Sequence, residues 1–316
     1  MATLPNFTVL IPTRNRPLKI AKLLESLAQS SFKPSEVIVV ASGHDIGVMV
    51  EKFQKILPIT YIHTEISGQV NQKKLGLALL KDDTQWVAFL DDDLLLALDT
   101  FKFAFTTLTE REERSSQPII GIGLNTESSS RIQNGNWFRK IFAKIFLLYS
   151  ATPGSILKSG AAISYLDAKE PIFTKWLNGA SIWRKENALQ YLDSTESSKY
   201  AAYEDVFFSY RQSKQGLLIF SPTSVVAFQD IDSTNFELKD VYKSAAYLRM
   251  AFVLQNSDLS PILCAWSQIG RSLYALKQVG YSDIRYITFL LRINFVMLLT
   301  SINVIQIDNL LARIDK

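Results

Sequence analysis

A chain of 316 residues with 47% hydrophobic content is long enough for one large domain or two modest ones and apolar enough to bury a core, which excludes collagen-like, disordered and disulfide-scaffold classes. Lys and Arg number 34 against 30 Asp and Glu, a net +4 too small and too dispersed for a nucleic-acid protein announced by charge, though compatible with an anionic substrate or a lipid surface. A single cysteine, Cys264, forms no internal disulfide, and with only His44 and His63 there is no Cys/His zinc cluster, so any metal would sit on oxygens.

No basic leader precedes the short apolar run Phe7 to Pro12, so the chain is expected to begin in the cytoplasm. β-Branched runs at Phe7 to Pro12, Glu36 to Ala41, Ile59 to His63 and Trp86 to Leu90 alternate with helical patterns, the mark of βαβ units and a parallel sheet. Ile20, Leu23, Leu24 and Leu27 fall on one helical stripe, and Gln69 to Leu80 reads as a second helix after Ser67-Gly68. Mixed elements follow: Pro118 to Ile122, Trp137 to Tyr149, Ala180 to Trp183, Tyr203 to Gln215, Leu217 to Phe220 and Ser224 to Phe228. The Ser- and Asn-rich segment Glu127 to Asn136 reads as a loop. Beyond Phe236 the chain is helical, with breaks near Ser260-Pro261 and Gly280, so one α/β domain over 1–235 and a helical extension over 236–316 are expected. Within the extension, Tyr286 to Ile307 is apolar except for Arg292 and a few amides and hydroxyls, and reads as a buried or membrane-facing helix rather than a span.

Three carboxylates, Asp91, Asp92 and Asp93, emerge where the apolar run Trp86 to Leu90 leaves the sheet. Ligands of open α/β sheets bind at the carboxyl ends of strands, and carboxylates there suit Mg2+ or Mn2+ shared with substrate phosphates. An acidic turn capping the next helix is the plainer account. Glu204 and Asp205 open a helix, where the dipole alone favours them; the chemical alternative is a general base for an attacking hydroxyl. Thr13 to Pro17 fills the turn after the first strand, an ordinary β-to-α loop or a place for main-chain groups and Arg to meet a base or phosphate. Lys73 and Lys74 either face that crevice or lie in solvent.

In chain order, Phe7-Thr-Val-Leu-Ile-Pro-Thr-Arg-Asn-Arg-Pro17, Gly68 to Gly76, Phe89-Leu-Asp-Asp-Asp93, Trp176-Leu-Asn-Gly179 with Arg184, and Tyr203-Glu-Asp205 with Ser209-Tyr-Arg211 resemble family 2 glycosyltransferases of the GT-A fold over about residues 7 to 228. The resemblance implies a nucleotide-sugar-binding α/β fold with a mostly parallel central sheet, a nucleotide-binding half over 1–123 and an acceptor-binding half over 124–235. It implies Pro12, Thr13 and Arg14 at the base and ribose, Lys73 where the family usually has Arg near the nucleotide, and Asp91 and Asp92 at the donor. Asp91 and Asp93 match the ends of the DXD motif, with Asp93 the direct metal ligand. Asp205 matches the carboxylate usually assigned as base, Glu204 beside it contacts acceptor or sugar, and Trp176, Asn178 and Gly179 belong to the acceptor wall.

The chain departs from the family pattern in three places. Its second strand ends Ala41-Ser42-Gly43 where many relatives carry an Asp that reads uracil; Phe228 stands at the spacing of a metal-binding His, so that either Gln229 or Asp230 substitutes or the metal has fewer protein ligands and more water; and Lys74 replaces a common Asn. The implied activity is inverting transfer of a sugar from a nucleoside diphosphate sugar, of the UDP type by preference, to a saccharide or lipid-linked saccharide hydroxyl in polysaccharide or glycolipid assembly, with Mg2+ or Mn2+ and no nucleic acid. A non-catalytic sugar-nucleotide-binding protein remains the alternative, and a nucleotidyltransferase the weaker one, because Thr13 to Pro17 has no glycine. The stretch Trp137 to Tyr149 places Phe138, Ile141, Phe142, Ile145 and Tyr149 on one face with Arg139, Lys140 and Lys144 elsewhere, the composition of an interfacial helix or of one covering the sheet. The protein would then work in the cytoplasm, peripherally at the inner face of a membrane.

Overall fold

The computed structural model describes residues 5–126, 137–193, 203–229, 238–279 and 284–315. Its elements run β1 (Phe7–Arg14), α1 (Pro17–Gln29), β2 (Glu36–Ser42), α2 (Gly47–Glu51), β3 (Ile59–Thr64), α3 (Gln69–Leu77), β4 (Trp86–Phe89), β5 (Leu94–Leu96), α4 (Thr100–Glu112), β6 (Ile119–Thr126) and α5 (Trp137–Ile145). There follow β7 (Ile172–Thr174), β8 (Ser181–Arg184), α6 (Lys185–Leu189), α7 (Glu204–Gln212), β9 (Leu217–Phe228), α8 (Leu238–Gln255), α9 (Pro261–Val279), α10 (Ile284–Ser301) and α11 (Leu310–Asp315). The segment 127–136 and Asp230 lie outside the described residues.

The chain divides into two compact units, the first holding 1–129, 166–201 and 208–233, the second 130–165, 202–207 and 234–316. The first unit is a sheet in the order β3-β2-β1-β4-β8-β6-β9-β5, with β7 also on β9. β1 pairs in parallel with β2 and β4, and β2 with β3. Every residue of β2 and all but the last of β1 are buried, the run expected of parallel strands covered on both faces. Beyond β4 the sheet becomes mixed rather than mostly parallel: β8 is antiparallel to β4 and β6, β9 is parallel to β6, and β5 and β7 run antiparallel to β9.

The two runs expected as separate strands around Pro222 are one strand, β9. Its register against β6 jumps from Leu124↔Ser221 to Asn125↔Val225, so the residues around the proline bulge out of the ladder, and Asn125 Nδ2 donates to the Pro222 carbonyl at 2.8 Å. A proline has no N–H to give to a neighbouring strand, and the bulge removes that demand.

Helices cover both faces. On one, α1 starts with Pro17 in its first turn and buries the stripe Ile20, Leu23, Leu24 and Leu27. It joins a core in which Phe7 meets Phe101 at 4.7 Å and Trp86 meets Phe105 edge-on at 6.1 Å. On the other, α3 lies against β1 and β2 because Gly76 presents no side chain: a Cβ there would come within 2.6 Å of Leu10 Cδ1. Phe89, Trp183, Tyr191 and Phe208 complete that second core.

The second unit is helical, with α8, α9, α10 and α11 packed together. Phe207 packs edge-on to Phe252 at 5.2 Å, and Phe146 stacks on Trp266 at 5.0 Å while its ring occupies the space beside Gly270. Cys264 is a buried free thiol. Here α5 ends at Ile145 rather than Tyr149, and only Ala143 of it is buried.

Candidate functional site

The carboxyl ends of β1, β2 and β4 lie side by side, so the turns that follow them converge. Thr13, near the end of β1, donates its hydroxyl to Asp92 Oδ2 at 2.6 Å, and Arg16 donates Nη1 to Asp92 Oδ1 at 2.9 Å. Arg16 also stands 3.6 Å from Asp93 Oδ2. From α3, Gln69 Nε2 donates to Asp91 Oδ1 at 2.6 Å, and Gln72 Nε2 donates to the carbonyls of both Thr13 and Val40 at 2.7 Å, tying the ends of β1 and β2 together. From beneath, the Gln229 N–H donates to the Asp93 carbonyl at 2.8 Å and its side-chain amide to the Lys19 carbonyl at 2.9 Å. The acidic turn is thus held from β1, α1, α3 and the end of β9.

Burial pushes the Asp92 carboxyl above the usual range, opposed by the Thr13 and Arg16 hydrogen bonds and the Arg16 charge. Burial works against the Arg16 charge, yet Asp92, Asp93 and Asp91 together raise its pKa. Next to them, Asn15 has a positive φ of 56° and accepts the His44 N–H at 2.9 Å. Its side chain fills the space beside Gly43, whose φ of 81° and missing Cβ make that approach open to glycine alone.

Sequence reasoning named Thr13, Asp91, Asp92 and Asp93, and the structure brings these four together. It missed Gln69, Gln72 and the pairing of Arg16; the signal was two glutamines three apart on the first turns of a helix that follows a glycine. Pro12 and Ala41 are buried strand residues, and Arg14 is exposed. Of the two expected places for Lys73, facing the crevice or in solvent, the structure excludes solvent. Lys73 is 2% exposed, with Nζ 5.3 Å from the Phe89 ring centre and 5.4 Å from that of Tyr191. α3 turns this residue onto the sheet, where the ring faces attract the ammonium and the long stem packs as an apolar group.

Asn178 Nδ2 donates to Thr126 Oγ1 at 3.0 Å and to the Leu124 carbonyl at 3.3 Å, pinning the end of β6; Trp176 and Gly179 beside it are half-buried. In the second unit, α7 begins with Glu204, which is buried, and Asp205, which is half-buried. Tyr203 precedes them with a φ of 83° and donates its hydroxyl to the Gly160 carbonyl.

A divalent cation can be tested against these donors. Among the described residues, no three His, Cys, Asp or Glu side chains group closely enough to cage a metal. Asp92 does not fit, since both its oxygens are engaged by Thr13 and Arg16. Asp91, with Oδ1 on Gln69, and Asp93, 3.6 Å from Arg16, offer oxygen donors of the kind a hard cation takes when substrate phosphates and water complete its shell. The exposed Phe228 contributes no donor, and the Gln229 amide nitrogen is engaged by backbone carbonyls.

Residues 8–154 match the family model for glycosyl transferase family 2. Two curated relatives, each described as an uncharacterized glycosyltransferase, are 34% identical over 87 residues in Haemophilus influenzae (27% of this chain, 29% of that one) and 28% identical over 144 residues in Rickettsia bellii (44% and 20%). The matched stretch is therefore less than a third of either relative's length. Among solved structures, S. aureus TarS 1-349 superposes with a TM-score of 0.59 at 17% identity, covering 98% of this chain and 88% of that one. The same fragment in complex with UDP-GlcNAc gives 0.58 at 16% identity, over 98% and 83%. The mannosyltransferase PcManGT from Pyrobaculum calidifontis, in complex with GDP-Man and Mn2+, gives 0.53 at 14% identity, over 99% and 87%. At these identities the superpositions establish a shared fold alone. Residues 8–154, which carry the acidic turn, thus match the glycosyl transferase family 2 model, and the fold is that of the GT-A glycosyltransferases.

Proposed function

We propose that the protein transfers a sugar from a nucleoside diphosphate sugar to an acceptor hydroxyl with inversion at the anomeric carbon. The observation that carries this reading is the acidic turn Asp91 to Asp93, held by Thr13, Arg16 and Gln69 at the carboxyl ends of parallel strands. The UDP-GlcNAc complex of TarS and the GDP-Man complex of PcManGT support the donor class. The PcManGT complex also holds Mn2+, which supports a cation on Asp93 and Asp91 here. Such a cation, when bound, neutralises charge on the leaving diphosphate.

The chain's own residues supply the rest. Thr13 and Arg16 hold Asp92 and so fix the direction in which Asp91 and Asp93 point. Asp205 takes the proton from the acceptor hydroxyl as its oxygen bonds to the anomeric carbon, and the bond from that carbon to the diphosphate breaks on the opposite side. The acceptor side is assigned to Trp176, Asn178 and Gly179, with Glu204 next to the base. A lipid-linked acceptor would bring the protein to a membrane. The outward Trp137 and Phe138 of α5, 61% and 63% exposed beside Arg139, support that contact.

Asp205→Asn tests the base. Turnover should fall by about 10²-fold or more while donor affinity stays unchanged; near-normal turnover removes Asp205 from the role. A second reading, a protein that binds sugar nucleotides without turning them over, is favoured by the exposed Phe228 at the position of a family His. Metal-dependent hydrolysis of sugar nucleotides decides between the two.

A further inference from the structure

In the second unit, α10 has three distinct faces. Tyr286, Leu290, Ile293, Val296 and Met297 are buried. On the opposite side Ile284, Leu291, Phe295 and Leu298 are exposed, Leu291 by 63% and Phe295 by 61%. Successive residues of a helix turn by about 100°, so these four lie within a sector of about 60° and form a stripe about 21 Å long. Ile302, just past the helix end and also exposed, continues it.

The third face carries Arg285, Thr288, Phe289 and Arg292, centred about a quarter turn from the stripe. With Lys239 and Lys243 of α8 it lines a cavity of about 260 Å³, and Thr288 borders cavity and stripe alike. Four cations stand there against one carboxylate, Asp240, which is 4.0 Å from Lys243. Two of the cations are held on the cavity wall. Lys239 Nζ lies 5.9 Å from the Phe289 ring centre, and Arg292 Nη1 donates to the Ile314 carbonyl at 3.4 Å.

A helix that only filled a core would not keep Leu291 and Phe295 outward, and one that crossed a bilayer alone would not turn Arg285 and Arg292 to a polar cavity on its side. An outward apolar stripe flanked by cations at the level of a cavity suits a helix lying flat in the headgroup layer. We infer that α10 docks on an anionic phospholipid bilayer, with its stripe in the acyl boundary and a lipid phosphate in the cavity of Lys239, Lys243, Arg285 and Arg292. This surface is separate from α5, and binding to it needs neither donor nor acceptor.

Flotation of the full chain with phosphatidylcholine vesicles, with and without phosphatidylglycerol, tests the inference. Wild type should float with the anionic vesicles and not with the neutral ones, and added salt should weaken it. Lys239→Gln with Arg285→Gln should lower the partition coefficient by about 30-fold, at about 1 kcal/mol per basic residue. Leu291→Ser with Phe295→Ser, both at exposed positions and therefore compatible with folding, should abolish flotation with the melting temperature retained. Anionic-vesicle binding that survives both double variants overturns the inference, and its loss only in Trp137→Ser with Phe138→Ser hands the membrane contact to α5. Two other results also overturn it: inorganic phosphate raising the melting temperature of a protein that ignores vesicles, or a dimer in sedimentation that Phe295→Ser splits.

Discussion

In the sheet unit α1 buries Ile20, Leu23, Leu24 and Leu27 and α4 buries Phe101 and Phe105, single apolar residues such as Leu18 and Phe228 stay exposed, and polar groups close on one another at the strand ends. In the helical unit α5 and α10 hold Trp137, Phe138, Leu291 and Phe295 outward, while Arg249 is buried with Nη2 on Gln268 at 2.5 Å. A sheet covered on both faces is open to a ligand at its strand ends, and there the polar groups gather. A helical bundle has an outer side on every helix, and that side is available for a partner.

The contrast predicts unequal costs for similar substitutions. Phe105→Ala, inside the aromatic cluster with Phe7 and Trp86, should cost about 3–5 kcal/mol in denaturant unfolding. Phe138→Ala should stay within about 0.5 kcal/mol of wild type. A large loss at Phe138 would mean that α5 is covered and that the two units do not differ in this respect.

Thr13→Val keeps shape but removes the donor to a buried carboxylate, for which about 1.5–3 kcal/mol is expected. Its loss should also lift the Asp92 pKa further, since the Thr13 hydrogen bond opposes the effect of burial. Unfolding curves with unchanged midpoints would show that Arg16 alone holds Asp92.

Asp93→Asn should leave stability near wild type and weaken Mn2+-dependent binding of a nucleoside diphosphate by about tenfold or more, close to 1.4 kcal/mol. Calorimetry with and without Mn2+ reads this directly. Equal affinities in mutant and wild type would leave the acidic turn a structural device.

The smallest effect is a pH slope. Burial, then the hydrogen bond to Asp45, pushes Tyr61 up from 10.0 to about 12. Between those values the native phenol keeps a proton that the unfolded one has lost, so stability is full below pH 10 and declines as pH rises toward 12. Tyr61→Phe should flatten that decline; an unaltered slope would show that Tyr61 titrates as in the unfolded chain.

Much of the sheet unit was legible because its signals are local. β1 to β4 lie within two residues of the expected runs, and the α1 stripe is buried as its spacing requires. β5 and β7 were not legible. Each has three residues and exists as a strand only through its pairing with β9, whose own course past Pro222 depends on β6. The burial of Lys73 was not legible for a related reason: nothing within α3 marks which side of a polar helix will face the sheet, and that is decided by Gly76 resting on Leu10 and Val40.

By itself the sequence determined the βαβ alternation of residues 7–90, the acidic turn after β4 and the family they signal, since periodicity and contiguous motifs are properties of neighbouring residues. Tertiary structure alone decided that Thr13 meets Asp92 across 79 positions and Gln69 meets Asp91 across 22, and that α10 keeps Leu291 and Phe295 outward beside four cations. Hydrogen bonds and burial depend on which groups come within a few ångströms once the chain has closed, and no local pattern specifies that.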